Sequence, residues 1–393
     1  MRNAGKALVF IVILLLAIGI LLLASASSTK AMKMGDTFFY VKKQMVWLLL
    51  GVIGCVVAAF FDYHWLHKAR TNILLIAATI LLLLLVFVPG IGHTVNGSYR
   101  WIRLGPLGGF QPSEFAKITV VVMLATWMTL KGRFAATVKY GLVIPLASLG
   151  IMLGFIFLEP DYGTTFLLAA VGAGIMFLGG TRPSHLVVCG VLGLMLFSLA
   201  VMHDPVRLTR FLSFLFRDAY PDASYQLNQS ETAFALGGIW GDGYMQSVQK
   251  LDFLPEAHTD FIFAILGEEF GIIASMLVVV LFVLLMIFGL GIARRAPDRF
   301  GFLLATGMTM LLSLEAFINI GVVTGCLPTK GLALPFMSAG GSSMISSLVA
   351  VGVLLNVARH SENLDEHVQP IKNRDPGKLD EEFTEHGRPY QQT

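Results

Sequence analysis

The chain has 393 residues, 55% of them hydrophobic and 13% charged, with a net charge of +3 and a mean hydropathy of +0.74. Soluble domains carry about 25% charged residues, so this composition excludes an ordinary globular enzyme, and the scattered basic residues form no aromatic-interleaved stripe of the kind that binds nucleic acid. It fits an all-α polytopic membrane protein whose length is spent on crossings of a roughly 30 Å hydrocarbon layer at about 20 residues each.

Arg2 and Lys6 precede an apolar run ending in Ala24-Ser25-Ala26. That layout fits a cleavable signal peptide, yet the run is long enough to be a first spanning helix, which is the reading taken. Further runs of spanning length follow at 45–61, 72–88, 114–130, 141–158, 163–179, 185–202, 261–291, 301–324 and 342–358, so that about ten transmembrane helices are expected with the first at 7–25. An even number places both termini on one side. The short loops on that side carry Lys68, Arg70, Lys131, Arg133, Lys139, Arg182, Arg294, Arg295 and Arg299, and the positive-inside rule makes it cytoplasmic. Lys30, Lys33, Lys42, Lys43, Arg100 and Arg103 then fall outside, which points to an anionic ligand on the outer face.

Three outer segments, 89–113, 203–260 and 325–341, are longer than connections usually are, and loops of such length tend to be functional. The largest, 203–260, lies between helices 7 and 8 and is rich in aromatics and glycine, so short helices are expected in it. The membrane domain is expected to end at 358, with 359–393 a disordered cytoplasmic tail because it is charged and poor in apolar residues. Cys55, Cys189 and Cys326 offer neither a disulfide framework nor metal-ligand spacing, and no strong internal repeat of a transporter kind is present.

In chain order, the first chemistry-bearing stretch is NGSYRWIRLGPLGGFQPSEFAKI. Arg100 and Arg103 could make bidentate contacts to phosphate, while Trp101 between them also suits an interfacial anchor. Glu114 and Lys117, three residues apart, share a helix face and either neutralise each other or line a cavity. LEPDYGTT follows, with Glu159 and Asp161, of which Asp161 is placed to cap the next helix. The glycines Gly237, Gly238, Gly241 and Gly243 permit close backbone approach but match no nucleotide motif. Finally LPEAHTDFIFAILGEEFG places Asp260 where a polar loop enters an apolar helix, and an ionisable residue at a membrane boundary is a functional candidate by default. Glu268 and Glu269 lie deeper in that helix and are read as structural or cavity-lining. Glu315 is a carboxylate in helix nine without an obvious sequence partner.

These blocks, together with NIGVVTGCLPTKGLALPFMSAGGSS at 319–343, resemble the SEDS family of shape, elongation, division and sporulation proteins, the RodA and FtsW type, over roughly 8–358. PTKG at 328–331 and PEAHTDF at 255–261 look more like the cell-division branch than the elongation branch. Cys326, Ala339 and Glu315 depart from the usual pattern. The resemblance implies a peptidoglycan glycosyltransferase of the bacterial cytoplasmic membrane, at the division septum, that polymerises lipid II and releases undecaprenyl diphosphate. Asp260 matches the family's essential aspartate and is the expected general base. Arg100, Trp101, Arg103, Glu114, Lys117, Lys250, Glu256, His258 and Lys330 are the substrate-binding candidates, with Arg207 and Arg210 as further cations for the diphosphate.

No motif demands a cofactor or a metal; a divalent cation held with the diphosphate is the one the chemistry accommodates. The implied partners are a class B penicillin-binding transpeptidase and other divisome membrane proteins. The rival functions are a lipid II flippase, an elongation-type polymerase and a non-catalytic scaffold for division proteins.

Overall fold

In a computed structural model, which describes residues 2–33, 35–95, 98–103, 105 and 108–367, every apolar run predicted above falls in a helix. The chain begins with α1 (Arg2–Ala26), α2 (Ser28–Lys33), α3 (Phe39–Phe60), α4 (His64–His67) and α5 (Ala69–Leu85). After a small sheet come α6 (Pro112–Leu130), α7 (Ile144–Leu158), α8 (Tyr162–Leu178) and α9 (Pro183–His203). The largest connection contains α10 (Pro205–Leu215) and α11 (Pro221–Gly237), and the chain then forms α12 (Ile262–Arg294), α13 (Arg299–Val323) and α14 (Gly341–His367). Among the described residues, eight helices are long and apolar enough to cross a membrane, α7 being counted with the π-helical turn Val138–Val143 that precedes it, and α5 and α8 are shorter apolar helices. At 1.5 Å per residue, the 17 residues of each of these two span about 25 Å. The protein is a multi-pass membrane protein.

Helix α14 runs to His367, past the boundary expected at 358; the rest of the expected tail lies outside the described residues. A second difference is the three-stranded antiparallel sheet of β1 (Gly92–Val95), β2 (Ser98–Arg103) and β3 (Gly109–Phe110) in the first outer segment. Its strands are too short to stand out by alternation.

The bundle centre is formed by α6, α13 and α14, each largely buried, with α3 and α14 packed side by side. Gly51 and Gly352 permit that approach: a Cβ on Gly352 would lie 2.3 Å from the Cys55 carbonyl oxygen. The loop ends of these helices gather the long segments together. Ala339 N–H donates to the His258 carbonyl (3.0 Å), the Ser338 hydroxyl to the Thr259 carbonyl (2.6 Å), and Gln111 N–H to the Ser342 hydroxyl (3.3 Å). The segments 89–113, 203–260 and 325–341 therefore meet at one end of the bundle.

The 33-residue α12 would be about 50 Å long if straight, and it is broken at Gly271, whose φ is +74°. The glycine-rich strap 237–243 inserts at the break. Asp242 N–H donates to the Glu268 carbonyl, Gly243 N–H to the Glu269 carbonyl, and Ile272 N–H to the Gly238 carbonyl, each at 3.0 Å. Backbone groups freed by a break at membrane depth must find partners within the protein, and the strap supplies them. The glycines are needed for the contact itself, since a Cβ on Gly271 would sit 2.3 Å from the Ile239 carbonyl oxygen and one on Gly241 2.3 Å from that of Glu269. We expect Gly271→Ala to lower the thermal unfolding midpoint in detergent, through a backbone clash added to about 1–3 kcal/mol of left-handed strain; an unchanged midpoint would show that the strap can move away.

Candidate active site

Asp260 lies in the turn just before α12, and its position is held through its backbone. The Asn319 side-chain amide, from α13, donates to the Asp260 carbonyl (2.8 Å) and to the Leu332 carbonyl (2.6 Å). One asparagine thus joins the 251–261 turn to the 325–341 segment. The carboxylate approaches that segment closely, because a Cβ on Gly331 would be 2.9 Å from Asp260 Oδ2.

Gly331 also lines a cavity of about 210 Å3 whose wall includes Arg100, Asp161, Tyr162, Arg207, Arg210, Thr329 and Lys330. Four cationic side chains therefore converge on one space beside Asp260. Arg100 comes from β2 and donates to the Pro160 carbonyl (2.6 Å). Arg207 and Arg210 are three apart on α10, whose N-cap Asp204 accepts from the Val206 and Arg207 amides; the Arg207 guanidinium lies 3.8 Å from the centre of the Tyr162 ring. Lys330 sits 4.7 Å from the centre of the Phe166 ring, and burial pushes its pKa down, so this ammonium gains from an anionic partner.

Burial pushes the Asp260 carboxyl up to about 7, with the nearby Glu256 charge acting in the same direction and Arg100 and Arg210 opposing it. A carboxylate tuned to the operating pH is suited to accepting a proton during reaction. On the cavity wall, Asp161 caps α8 as expected, accepting from the Thr164 amide (3.1 Å) and hydroxyl (2.9 Å), and from Gln111 Nε2 (3.1 Å). Its neighbour Glu159 is fully buried, with no hydrogen-bond partner for either carboxyl oxygen among the described residues. Burial, and then the Asp161 charge, push the Glu159 carboxyl up to about 9, which leaves it a neutral acid.

The other candidates divide. Arg100 and Lys330 join the cavity, but Trp101 and Arg103 do not line it. Successive strand residues point to opposite faces, so with Arg100 turned to the cavity, Trp101 packs over Gly109 and Arg103 is exposed. Lys250 lies elsewhere: its ammonium is buried against Glu269 (3.0 Å) and the Ser25 hydroxyl of α1 (2.9 Å). Glu268 is equally occupied, accepting from the Val248 amide (2.7 Å) and the Ser247 hydroxyl. Both carboxylates thus fasten the strap and its continuation to α12.

Glu256, at φ +55°, accepts from the Thr259 hydroxyl (2.9 Å) and faces Asp260 electrostatically rather than lining the cavity. His258 is buried against the Tyr40 ring at 5.0 Å between centroids. Burial pushes its imidazole down to about 4, so it is neutral at pH 7 and supplies no positive charge to an anion. Lys117 is fully enclosed, donating to Glu114 (2.8 Å) and to Glu315 (2.5 Å), while the Ser346 hydroxyl donates to the other Glu114 oxygen (2.7 Å). Glu315 thus finds its partner on α6, which no local spacing could reveal. Glu114 borders a second cavity, apolar and about 370 Å3, between α3, α5, α6 and α14, that Lys117 does not line.

Among the described residues, the grouping of histidine and acidic side chains whose ligand atoms converge is Asp62, His64 and His360, at the other end of α14. It has no part in this site.

A polytopic helical bundle with a cation-lined cavity beside a carboxylate at one end defines a multi-pass membrane protein with a site suited to an anionic group. Residues 6–363 match the family described as FTSW_RODA_SPOVE, cell cycle protein, and the chain belongs to that family. A "Probable peptidoglycan glycosyltransferase FtsW" of Geobacter sp. (strain M18) is 41% identical over 88% of this chain and 94% of its own. The stage V sporulation protein E of Bacillus subtilis is 40% identical over 90% of this chain and 96% of its own. Among solved structures, a chain of a peptidoglycan synthase complex that coordinates polymerization and crosslinking superposes with a TM-score of 0.74, at 28% identity, over 90% of this chain and 97% of that one. The rod shape determining protein RodA of Thermus thermophilus gives 0.67, at 27% identity, over 90% and 96%.

Proposed function

We propose that this chain, a peptidoglycan glycosyltransferase by its family, polymerises lipid II with Asp260 as the general base. The observation that carries the reading is the Asp260 carboxylate beside a cavity into which Arg100, Arg207, Arg210 and Lys330 converge. A growing glycosidic bond requires the acceptor hydroxyl to lose a proton as it attacks the anomeric carbon, and a carboxylate within reach takes that proton. The leaving diphosphate carries the developing negative charge, and preorganised cations stabilise it. The two needs are met side by side, with Gly331 between Asp260 and the cavity.

In this reading the cavity faces the outer side and both termini are cytoplasmic. The apolar cavity beside Glu114 has the chemistry to take part of a polyprenyl chain, while Glu114, Lys117 and Glu315 hold α6 to α13. A divalent cation would be held largely by the diphosphate oxygens themselves and would add positive charge at the leaving group. The solved neighbour's place in a synthase complex and the resemblance to the cell-division branch support a class B penicillin-binding transpeptidase as partner, with septal location.

The test is to supply labelled lipid II to the purified protein, with and without such a partner, and to resolve product length. Strands of many units support the reading; a change in lipid II sidedness in proteoliposomes without any polymer would favour a flippase instead.

The same base role fixes a pH dependence. Asp260 must be ionised to accept a proton, and its pKa is near 7, so activity should rise as pH rises through 7. Glu256→Gln removes a charge that holds this pKa up, and the rising limb should move to lower pH, toward the ordinary carboxylate range. A limb that stays in place would separate Glu256 from the base.

A further inference from the structure

At the far end of α14, about 28 Å from its start by helical rise, Asp62 and His64 meet His360 and Asp298. His64 Nδ1 is 2.6 Å from Asp62 Oδ1, and His64 Nε2 is 3.2 Å from Asp298 Oδ2. His360 turns Nδ1 to the Asn356 carbonyl oxygen (3.0 Å) and Nε2 to the same Asp62 oxygen (3.6 Å). The ligand atoms of Asp62, His64 and His360 all lie within 4.8 Å of one another.

The geometry of this cluster suits a cation at its centre. A carbonyl oxygen only accepts, so His360 directs an Nδ1 hydrogen to Asn356 and turns Nε2 toward Asp62. His64 faces a carboxylate at each ring nitrogen, Asp62 at Nδ1 and Asp298 at Nε2. Asp298 is held as an acceptor, accepting from the Tyr63 hydroxyl and the Gly301 amide. With a metal ion at the centre, every group is satisfied. Asp298 takes the Nε2 hydrogen of His64, the Asn356 carbonyl takes the Nδ1 hydrogen of His360, and both remaining lone pairs and an Asp62 oxygen point inward. Ring nitrogens oriented by a carboxylate and by a backbone carbonyl are the usual support of metal-binding histidines.

We propose that Asp62, His64 and His360 bind one divalent transition-metal ion of the zinc type, with Asp298 as the positioning residue for His64. Two imidazoles and a carboxylate form a zinc-type donor set that leaves a fourth position to water. Metal bonds of about 2.0–2.1 Å at tetrahedral angles put donors roughly 3.3 Å apart, between the 2.6 and 3.6 Å separations present. The backbone around the site is already fixed, since Asn356 Nδ2 donates to the Ala58 (2.8 Å) and Phe61 (2.5 Å) carbonyls at the end of α3. His64 is about half exposed and His360 about a third, so an ion has access. Bound there, it would staple the α3–α4 corner to the last turns of α14, on the side of the protein away from Asp260.

The test uses the full chain in detergent with an affinity tag that contains no histidine, stripped by chelator and titrated with zinc chloride against a chromophoric chelator. Wild type should take up one equivalent and gain in unfolding midpoint. His64→Gln and His360→Gln should each weaken binding by at least about 100-fold and leave polymerisation unchanged, and Asp298→Asn should weaken it by roughly 10–100-fold. Wild-type protein that binds no zinc overturns the proposal on its own, whatever the variants do, and so does uptake equal to that of a His64→Gln/His360→Gln double variant. Unaltered affinity in Asp298→Asn would overturn the positioning role.

Discussion

Asp260→Asn is expected to reduce glycan-strand formation by about 10²–10⁴-fold, the contribution typical of a positioned general base, while the protein still folds. The substitution is nearly isosteric, and the bond that fixes this turn uses the Asp260 backbone carbonyl, not its side chain. Asn319 would go on joining Asp260 to Leu332, so the amide would occupy the carboxylate's place beside Gly331. It can donate to the acceptor hydroxyl but cannot take its proton. Lipid II binding should therefore persist, and the loss should appear in turnover. Measuring polymer formed from labelled lipid II, alongside binding of the same lipid, separates the two effects.

The second large effect concerns stability. Lys117→Leu should destabilise the protein by about 3–5 kcal/mol, because it leaves Glu114 and Glu315 as buried carboxylates without their shared cation. Both carboxylates, like Lys117, are almost completely removed from solvent. Replacing Glu315 together with Lys117 by Leu should recover part of the loss, since only Glu114 is then left without a cation. Glu114 keeps its bond from Ser346 in that double variant. Unfolding midpoints of the single and double variants in one detergent check this, and a single variant as stable as wild type would contradict it.

The sequence shows most of the architecture because membrane spans are written locally. Each predicted apolar run became a helix, and the segments 89–113, 203–260 and 325–341 came together at one end as expected. The fate of individual charged residues was less legible. Lys250 looked like Lys330 in the sequence, a lysine in an outer loop, but one is held by Glu269 and Ser25 while the other borders the cavity. That difference is made by α1, more than two hundred residues away in sequence. Arg100 and Arg103 were separated by strand alternation in a sheet too short to be predicted. Arg207 and Arg210 could have been ranked higher, since three-residue spacing after the capping sequence Asp204-Pro205 puts them on one helix face. The break at Gly271 left a weaker trace: its glycine was visible, but the strap that fills the break became evident only in three dimensions.

The most direct test of Asp260 as base is the pH–rate profile of polymerisation by the wild-type protein with saturating lipid II, beside that of Asp260→Asn. A wild-type rate that rises through pH 7 and a residual Asn rate without that limb are the expected pair. A wild-type rate flat across this range, or a limb of the same midpoint in Asp260→Asn, would contradict the assignment of the proton-accepting step to Asp260.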